Sequence, residues 1–326
     1  MTVVDSLASP VAARTLPDLI GLIPYLLGFH PTESLVAVVT EHDQVSVTAR
    51  ADLSRMHPPG CVEELLGRLW ARFPGAHGWF VVYGGDTEAA WALLRRCEQV
   101  VPAAAVDATI VVDGALWWSD PDGPASQLEP PSGSAVAQAV VNGMAAQASR
   151  GCVVASIAGP VGDALTAAQA ALARADQAIG RKSDPAKLIR PLLACDPGDL
   201  SDDECVRLAA LAADSDARDQ AILAITVVSA PRHLRLWQRV VRLCPPSHRA
   251  APLALLGLAA WAGGEGALHT VCVEEAQRLC PDLPLVQVLT YIDDNIIPPQ
   301  TWPALRRELA HTLNCTGTRK TPVIRA

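Results

Sequence analysis

The sequence lacks any apolar run of the eighteen or so residues that would cross a bilayer, so no spanning helix is expected among its 326 residues. It also lacks the basic stretch and apolar core of a secretory leader. The expectation is a soluble, cytoplasmic protein with no membrane partner. No C-x-x-C pair occurs. The nine cysteines, Cys61, Cys97, Cys152, Cys195, Cys205, Cys244, Cys272, Cys280 and Cys315, are scattered and odd in number. That pattern argues against a disulfide framework and against zinc, whose ligands usually include a close pair. His57 and Cys61 come nearest to one, but Pro58-Pro59-Gly60 between them precludes a helical i,i+4 arrangement. No metal site is assigned. There is no G-x-G-x-x-G and no G-x-x-x-x-G-K-[ST], and no G-x-S-x-G marks an activated serine. No cofactor is expected. Lysine is nearly absent, with only Lys182, Lys187 and Lys320. Residues 1–130 hold 16 acids and 7 bases, and the remainder 18 acids and 19 bases. Neither part has the basic excess of a nucleic-acid binder.

What the chain has is apolar content. It is 50% hydrophobic with a mean hydropathy of +0.22, enough for a large core in one large or two medium domains. Leu19, Ile20, Leu22, Ile23, Leu26 and Leu27 recur at helical spacing behind Pro17-Asp18. Gly28 can end that helix in the left-handed conformation, and Pro31 forbids its resumption. Leu35-Val-Ala-Val-Val39 is then too short for a helix and reads as a strand buried on both faces. His42-Asp43 supply a turn into the alternating strand Val45–Arg50.

Further strands are expected at Gly78–Tyr83, Asp107–Val112 and Ala115–Trp118, with helices at Val62–Arg72 and Glu88–Val100. The order implies a mixed sheet carrying helices over residues 1–118. Residues 119–134, rich in Pro, Gly and Ser, read as a linker. Residues 135–326 read as a helical domain. Its expected helices are Ala135–Ser149, Asp163–Ile179, Ser201–Ala213, Ala217–Val228, Arg232–Leu243, Ala251–Ala262, Ala267–Cys280, Leu285–Asn295 and Pro299–Leu309. Ser201-Asp-Asp-Glu204 is a capping box. In Leu253–Pro281 the offsets of Leu256-Gly257, Ala276 and Pro281 resemble a tetratricopeptide-type hairpin, with His269 where that pattern wants a small residue. Only one copy is present, so an array is not implied.

Three groups of residues carry a family resemblance. The first is Leu26-Leu-Gly-Phe-His-Pro-Thr-Glu-Ser-Leu-Val36 with Arg50-Ala-Asp-Leu53. The second is Trp117-Trp-Ser119. The third is Arg218-Asp219 with Ala259–Leu268 and Pro298-Pro-Gln-Thr-Trp302. Together they resemble the actinobacterial domain-of-unknown-function 4192 family over nearly the whole chain. The resemblance implies an actinobacterial source and supplies no reaction and no catalytic residues. Asp120–Pro124 departs from it, having no cysteine after the Trp pair.

Candidate sites follow from strand ends and helix faces. Glu33, Ser34, Arg50 and Asp52 fall at one end of the first hairpin. There they can bind a polar ligand, orient an acid–base group, or simply tie the loop to the sheet. Gly84-Gly85-Asp86-Thr87 joins a strand to a helix, either as an ordinary turn or as an anion site. Arg232, Arg235, Arg239 and Arg242 stand at i, i+3, i+7 and i+10 on one helix face, either open to phosphate or an acidic partner, or a solvated face, or docked on the acidic N-terminal half. Trp117 and Trp118, on a hairpin near a polar loop, offer a binding platform, but adjacent strand residues point to opposite sides, so at least one is expected in the core. The first expectation is a non-enzymatic binding or scaffold protein, with another protein as its partner. The second is a cofactor-independent enzyme at the Glu33/Ser34/Arg50/Asp52 cluster. The third is a nucleic-acid accessory protein using the Arg232–Arg242 stripe.

Overall fold

The structure is a computed structural model that describes residues 11, 13–42, 44–128, 134–180 and 183–315. It begins with α1 (Leu16–Leu27), opened by a capping box in which Thr15 Oγ accepts from the Asp18 N–H and the Asp18 carboxylate accepts from the Thr15 N–H. Gly28, at φ 79°, closes it. The chain continues through β1 (Ser34–Glu41), β2 (Gln44–Asp52), α2 (Leu53–Met56), α3 (Cys61–Arg72), β3 (His77–Tyr83), α4 (Thr87–Val100), β4 (Val106–Asp113), β5 (Leu116–Trp118) and β6 (Ser126–Gln127). These strands form one sheet in the order β2-β1-β3-β4-β5-β6. Only β3 and β4 run parallel, joined by α4; the other neighbours are antiparallel. β1 is flanked by β2 and β3 and buried along nearly its whole length, which is why its sequence is a continuous apolar run.

Strand alternation sorts the two faces of the sheet. On one, Phe80 packs against Trp70 of α3 with ring centroids 5.7 Å apart. A Cβ at Gly78 would come within 2.7 Å of that Trp70 ring, so the strand has a glycine where the helix crosses it. On the other lie Ser34, Val36, Arg50 and Asp52, with Phe29, just past α1, under the Arg50 guanidinium. The helix α5 (Ser134–Val141) packs on α1 through Leu22, Ala135, Val136 and Ala139, so it goes with the sheet rather than with the helices that follow.

The chain divides into two compact units between Arg150 and Gly151. Beyond that point the described residues form α6 (Arg150–Ser156), α7 (Gly162–Ile179), α8 (Pro185–Ala194), α9 (Asp202–Ala212), α10 (Ser215–Ala224), α11 (Ala230–Leu243), α12 (Ala250–Gly263), α13 (Gly266–Leu279), α14 (Pro284–Asp294) and α15 (Trp302–Cys315). α12 is apolar all round and buried from Ala251 to Ala262. It is the central helix of this unit, packed by α11, α13 and α14.

Several local expectations differ from the structure. β6 lies within the 119–134 segment expected as linker, paired to β5; residues 129–133 fall outside the described residues. The helix expected over Ala135–Ser149 stops at Val141, with Gly143 at φ 83° just after it. α6 and α8 were not expected; Pro191 lies inside α8 and breaks its sequence pattern without breaking the helix. The expected Ala217–Val228 helix ends at Ala224, where Ser229 Oγ and Thr226 bind each other's backbone N–H groups in a turn. Asp43 of the expected turn lies outside the described residues.

Candidate functional site

The first hairpin brings the four predicted residues to one end of the sheet. Ser34 pairs with Asp52 and Val36 with Arg50, so Ser34, Arg50 and Asp52 project from one face. Arg50 Nε donates to Ser34 Oγ at 2.7 Å, and its Nη2 lies 2.6 Å from the Asp52 carboxylate. Ser34 Oγ in turn donates to the Thr32 carbonyl at 2.6 Å. The guanidinium sits 5.9 Å from the centroid of the Phe29 ring, within cation–π range. Ser34 is fully buried. The Arg50 side chain is 14% exposed and that of Asp52 46%. Arg50 therefore ties the Phe29–Ser34 segment to the second strand.

Glu33 turns the other way. Its φ is 44°, in the left-handed region that non-glycine residues rarely adopt. Its carbonyl accepts from the Leu53 N–H at 2.9 Å, and its carboxylate Oε1 accepts from the Gly85 N–H at 3.0 Å. A Cβ on Gly84 would meet Glu33 Oε1 at 2.4 Å, and Gly84 and Gly85 sit at φ 76° and 82°. The turn expected as a candidate anion site thus already holds an anion, the protein's own carboxylate. Asp86 completes the turn by accepting from the Ala89 N–H at 3.0 Å, capping α4.

These bonds limit the available chemistry. Ser34 Oγ faces a cation, and none of the hydrogen bonds it makes is to a general base. Tyr83, opposite Ser34 across β1 and β3, is held protonated because burial pushes its phenol up. Trp117 and Trp118 are both half-buried, and the Trp117 indole Nε1 is buried without a partner.

The arginine stripe on α11 splits in two. Arg232 donates to the Leu193 and Cys195 carbonyls at the end of α8. Arg239 donates to the Pro197 carbonyl at 2.8 Å and to Asp202 at 2.7 Å. Both dock α11 on its neighbours. Arg235 and Arg242 are exposed.

Sequence reading missed three features of the second unit. An open groove of about 370 Å³ lies between α8 and α10, floored by Leu193, Ala194, Leu223 and Ala224. At its rim Arg190 Nε donates to Gln220 Oε1 at 3.1 Å. Nearby in sequence, Val227 and Val228 are exposed, Val228 at 93%. Buried His269 links three helices: its Nδ1 lies 2.8 Å from the Gly257 carbonyl and its Nε2 2.8 Å from the Asp293 carboxylate. Arg218 of the Arg218-Asp219 pair is buried and donates to the Ala212 and Ala213 carbonyls that end α9. No sequence pattern marks the groove, whose lining comes from two separate helices. The other contacts span turns that no periodicity encodes.

Among the described residues no group of three or more His, Cys, Asp or Glu side chains could hold a metal ion, and no helix is long and apolar enough to cross a membrane. Residues 17–300 match the model of a family described as a domain of unknown function (DUF4192). No curated protein and no solved structure matches the chain.

Proposed function

The chain belongs to the DUF4192 family, and from that premise we propose that it is a non-enzymatic binding or scaffold protein that takes a protein partner on its helical unit. One observation carries this reading. The polar groups of the Glu33/Ser34/Arg50/Asp52 cluster are engaged with each other and with nearby backbone, whereas the α8–α10 groove is open, apolar-floored and bordered by an arginine. Such a surface suits an apolar side chain with an acidic neighbour. The pair α12 and α13 enters as the tetratricopeptide-like hairpin. Gly257 supports that comparison, since a Cβ there would lie 3.3 Å from Cys272 Cβ where the two helices approach. The reading includes a cytoplasmic location and an actinobacterial source.

The test is affinity capture with the full chain, comparing wild type with Leu223→Glu and Glu33→Gln. The expected result is a partner retained by Glu33→Gln and lost by Leu223→Glu at unchanged melting temperature. The opposite pattern would move the function to the first unit and favour the enzyme.

A further inference from the structure

We propose that β2 is a self-pairing edge, through which two copies of this chain join their sheets about a two-fold axis at Ala49. The inference is independent of the partner groove. β2 closes one side of the sheet, and among the described residues no strand pairs with its outer side. Natural edges are usually guarded by charged side chains, above all lysine, or by proline, a bulge or a cover. β2 carries neither lysine nor proline, its charged residues Arg50 and Asp52 are paired with each other, and its one register shift lies between Val39 and Thr40, opposite Val45–Val47. Val47 to Asp52 is left as a straight edge.

The hydrogen-bond phase of that edge is determined. The Leu53 N–H donates to the Glu33 carbonyl, which makes Glu33 and Leu53 a hydrogen-bonded pair at the end of the β1–β2 register. Because such pairs alternate along an antiparallel ladder, Ala51 and Ala49 turn their N–H and C=O groups toward β1. Thr48, Arg50 and Asp52 turn theirs outward.

Self-complementarity then selects one register. A two-fold at Arg50 would set two guanidinium groups directly opposite each other, which is repulsive. A two-fold at Thr48 would leave only the central Thr48 pair within the straight segment, because its next hydrogen-bonded pairs set the bulged Ser46 against Arg50. A two-fold at Ala49 pairs Thr48 with Arg50 of the second copy on both sides of the axis, so outward N–H and C=O groups meet reciprocally within the straight segment. It also sets Val47 opposite Ala51, apolar against apolar, and leaves the bulged Ser46 outside its two central hydrogen-bonded pairs. Ala49 meets its own copy in the non-hydrogen-bonded position, where Cα atoms approach to about 4.5 Å and a methyl group fits.

The test is the mass of the full chain in solution by light scattering across a concentration series. We expect twice the mass of one chain, falling to a single chain in Thr48→Pro, which deletes an outward N–H and no bond to β1. If Thr48→Pro fails to fold, Ala49→Lys replaces it and is also expected to be monomeric. After mild oxidation, Ala49→Cys is expected to give a disulfide-linked dimer beyond the wild-type background, and Ala51→Cys is not. A wild-type chain that stays monomeric up to its solubility limit overturns the proposal, including when another protein is found on this edge. So does a dimer that survives Ala49→Lys, or cross-linking that is equal in the two cysteine variants.

Discussion

At the scale of single residues, Arg50 has the largest identifiable task. Removing it leaves Asp52 half-solvated but strips Ser34 Oγ and the Thr32 carbonyl of a charged donor. Arg50→Ala is expected to cost about 2 kcal/mol, between the values for exposed and fully buried pairs. Arg50→Lys should recover only part of that, because an ammonium lacks the planar fork that reaches three acceptors. Urea denaturation of the purified chain measures both. A loss near zero for Arg50→Ala would mean that the pair is no more than a surface contact. Gly84→Ala is expected to destabilise for two separable reasons: a left-handed backbone, worth about 1 kcal/mol, and the collision with Glu33 Oε1. In the double variant Gly84→Ala/Glu33→Ala only the second term should vanish, so the two changes should be non-additive. Strict additivity in a double-mutant cycle would contradict the contact.

At the scale of elements, α11 contains a buried acid-sensitive group. His233 is 1% exposed. Burial first, and the neighbouring Arg232 second, lower its pKa from the ordinary 6.5 to about 4. The unfolded chain therefore binds a proton over a range where the folded chain does not. That stability is present above about pH 6.5 and is lost as pH falls toward 4, by about 3 kcal/mol in all. His233→Gln should flatten the wild-type decline between about pH 7 and pH 4, as read from denaturation midpoints at stepped pH. Parallel declines would exclude His233 as the source. Elements also set what the sequence could reveal. β1 was legible because a strand with neighbours on both sides must be apolar throughout, and α1 because Pro17-Asp18 and Gly28 bracket its periodicity. α8 was hidden by Pro191, and β6 by its two-residue length. The Glu33–Gly85 bond joins residues 52 apart, and no local pattern announces it. The Arg232–Arg242 spacing could not tell that two of the four arginines would bind carbonyls around the end of α8.

At the scale of the whole molecule, cysteine chemistry follows from burial. Cys152 and Cys195 are exposed, whereas Cys97, Cys205, Cys244 and Cys272 are buried. Burial pushes Cys97 and Cys244 up to about 12 and Cys205 to about 11, leaving almost no thiolate at neutral pH. A native thiol titration should show a fast phase from the exposed residues and withhold the buried four until unfolding, when all nine react. A denatured count well below nine would reveal a disulfide. Chelation is expected to leave the melting temperature unchanged, and one zinc per chain by elemental analysis would overturn that. The burial of α12 on every side has a different consequence. Its central amides can reach solvent only when the second unit opens as a whole, while those of β1 wait on the first. Hydrogen exchange at these two segments therefore gives two internal clocks, each timing the slowest opening of its own core. A ligand, a substitution or a change of pH can then be assigned to one unit or the other by which clock it slows.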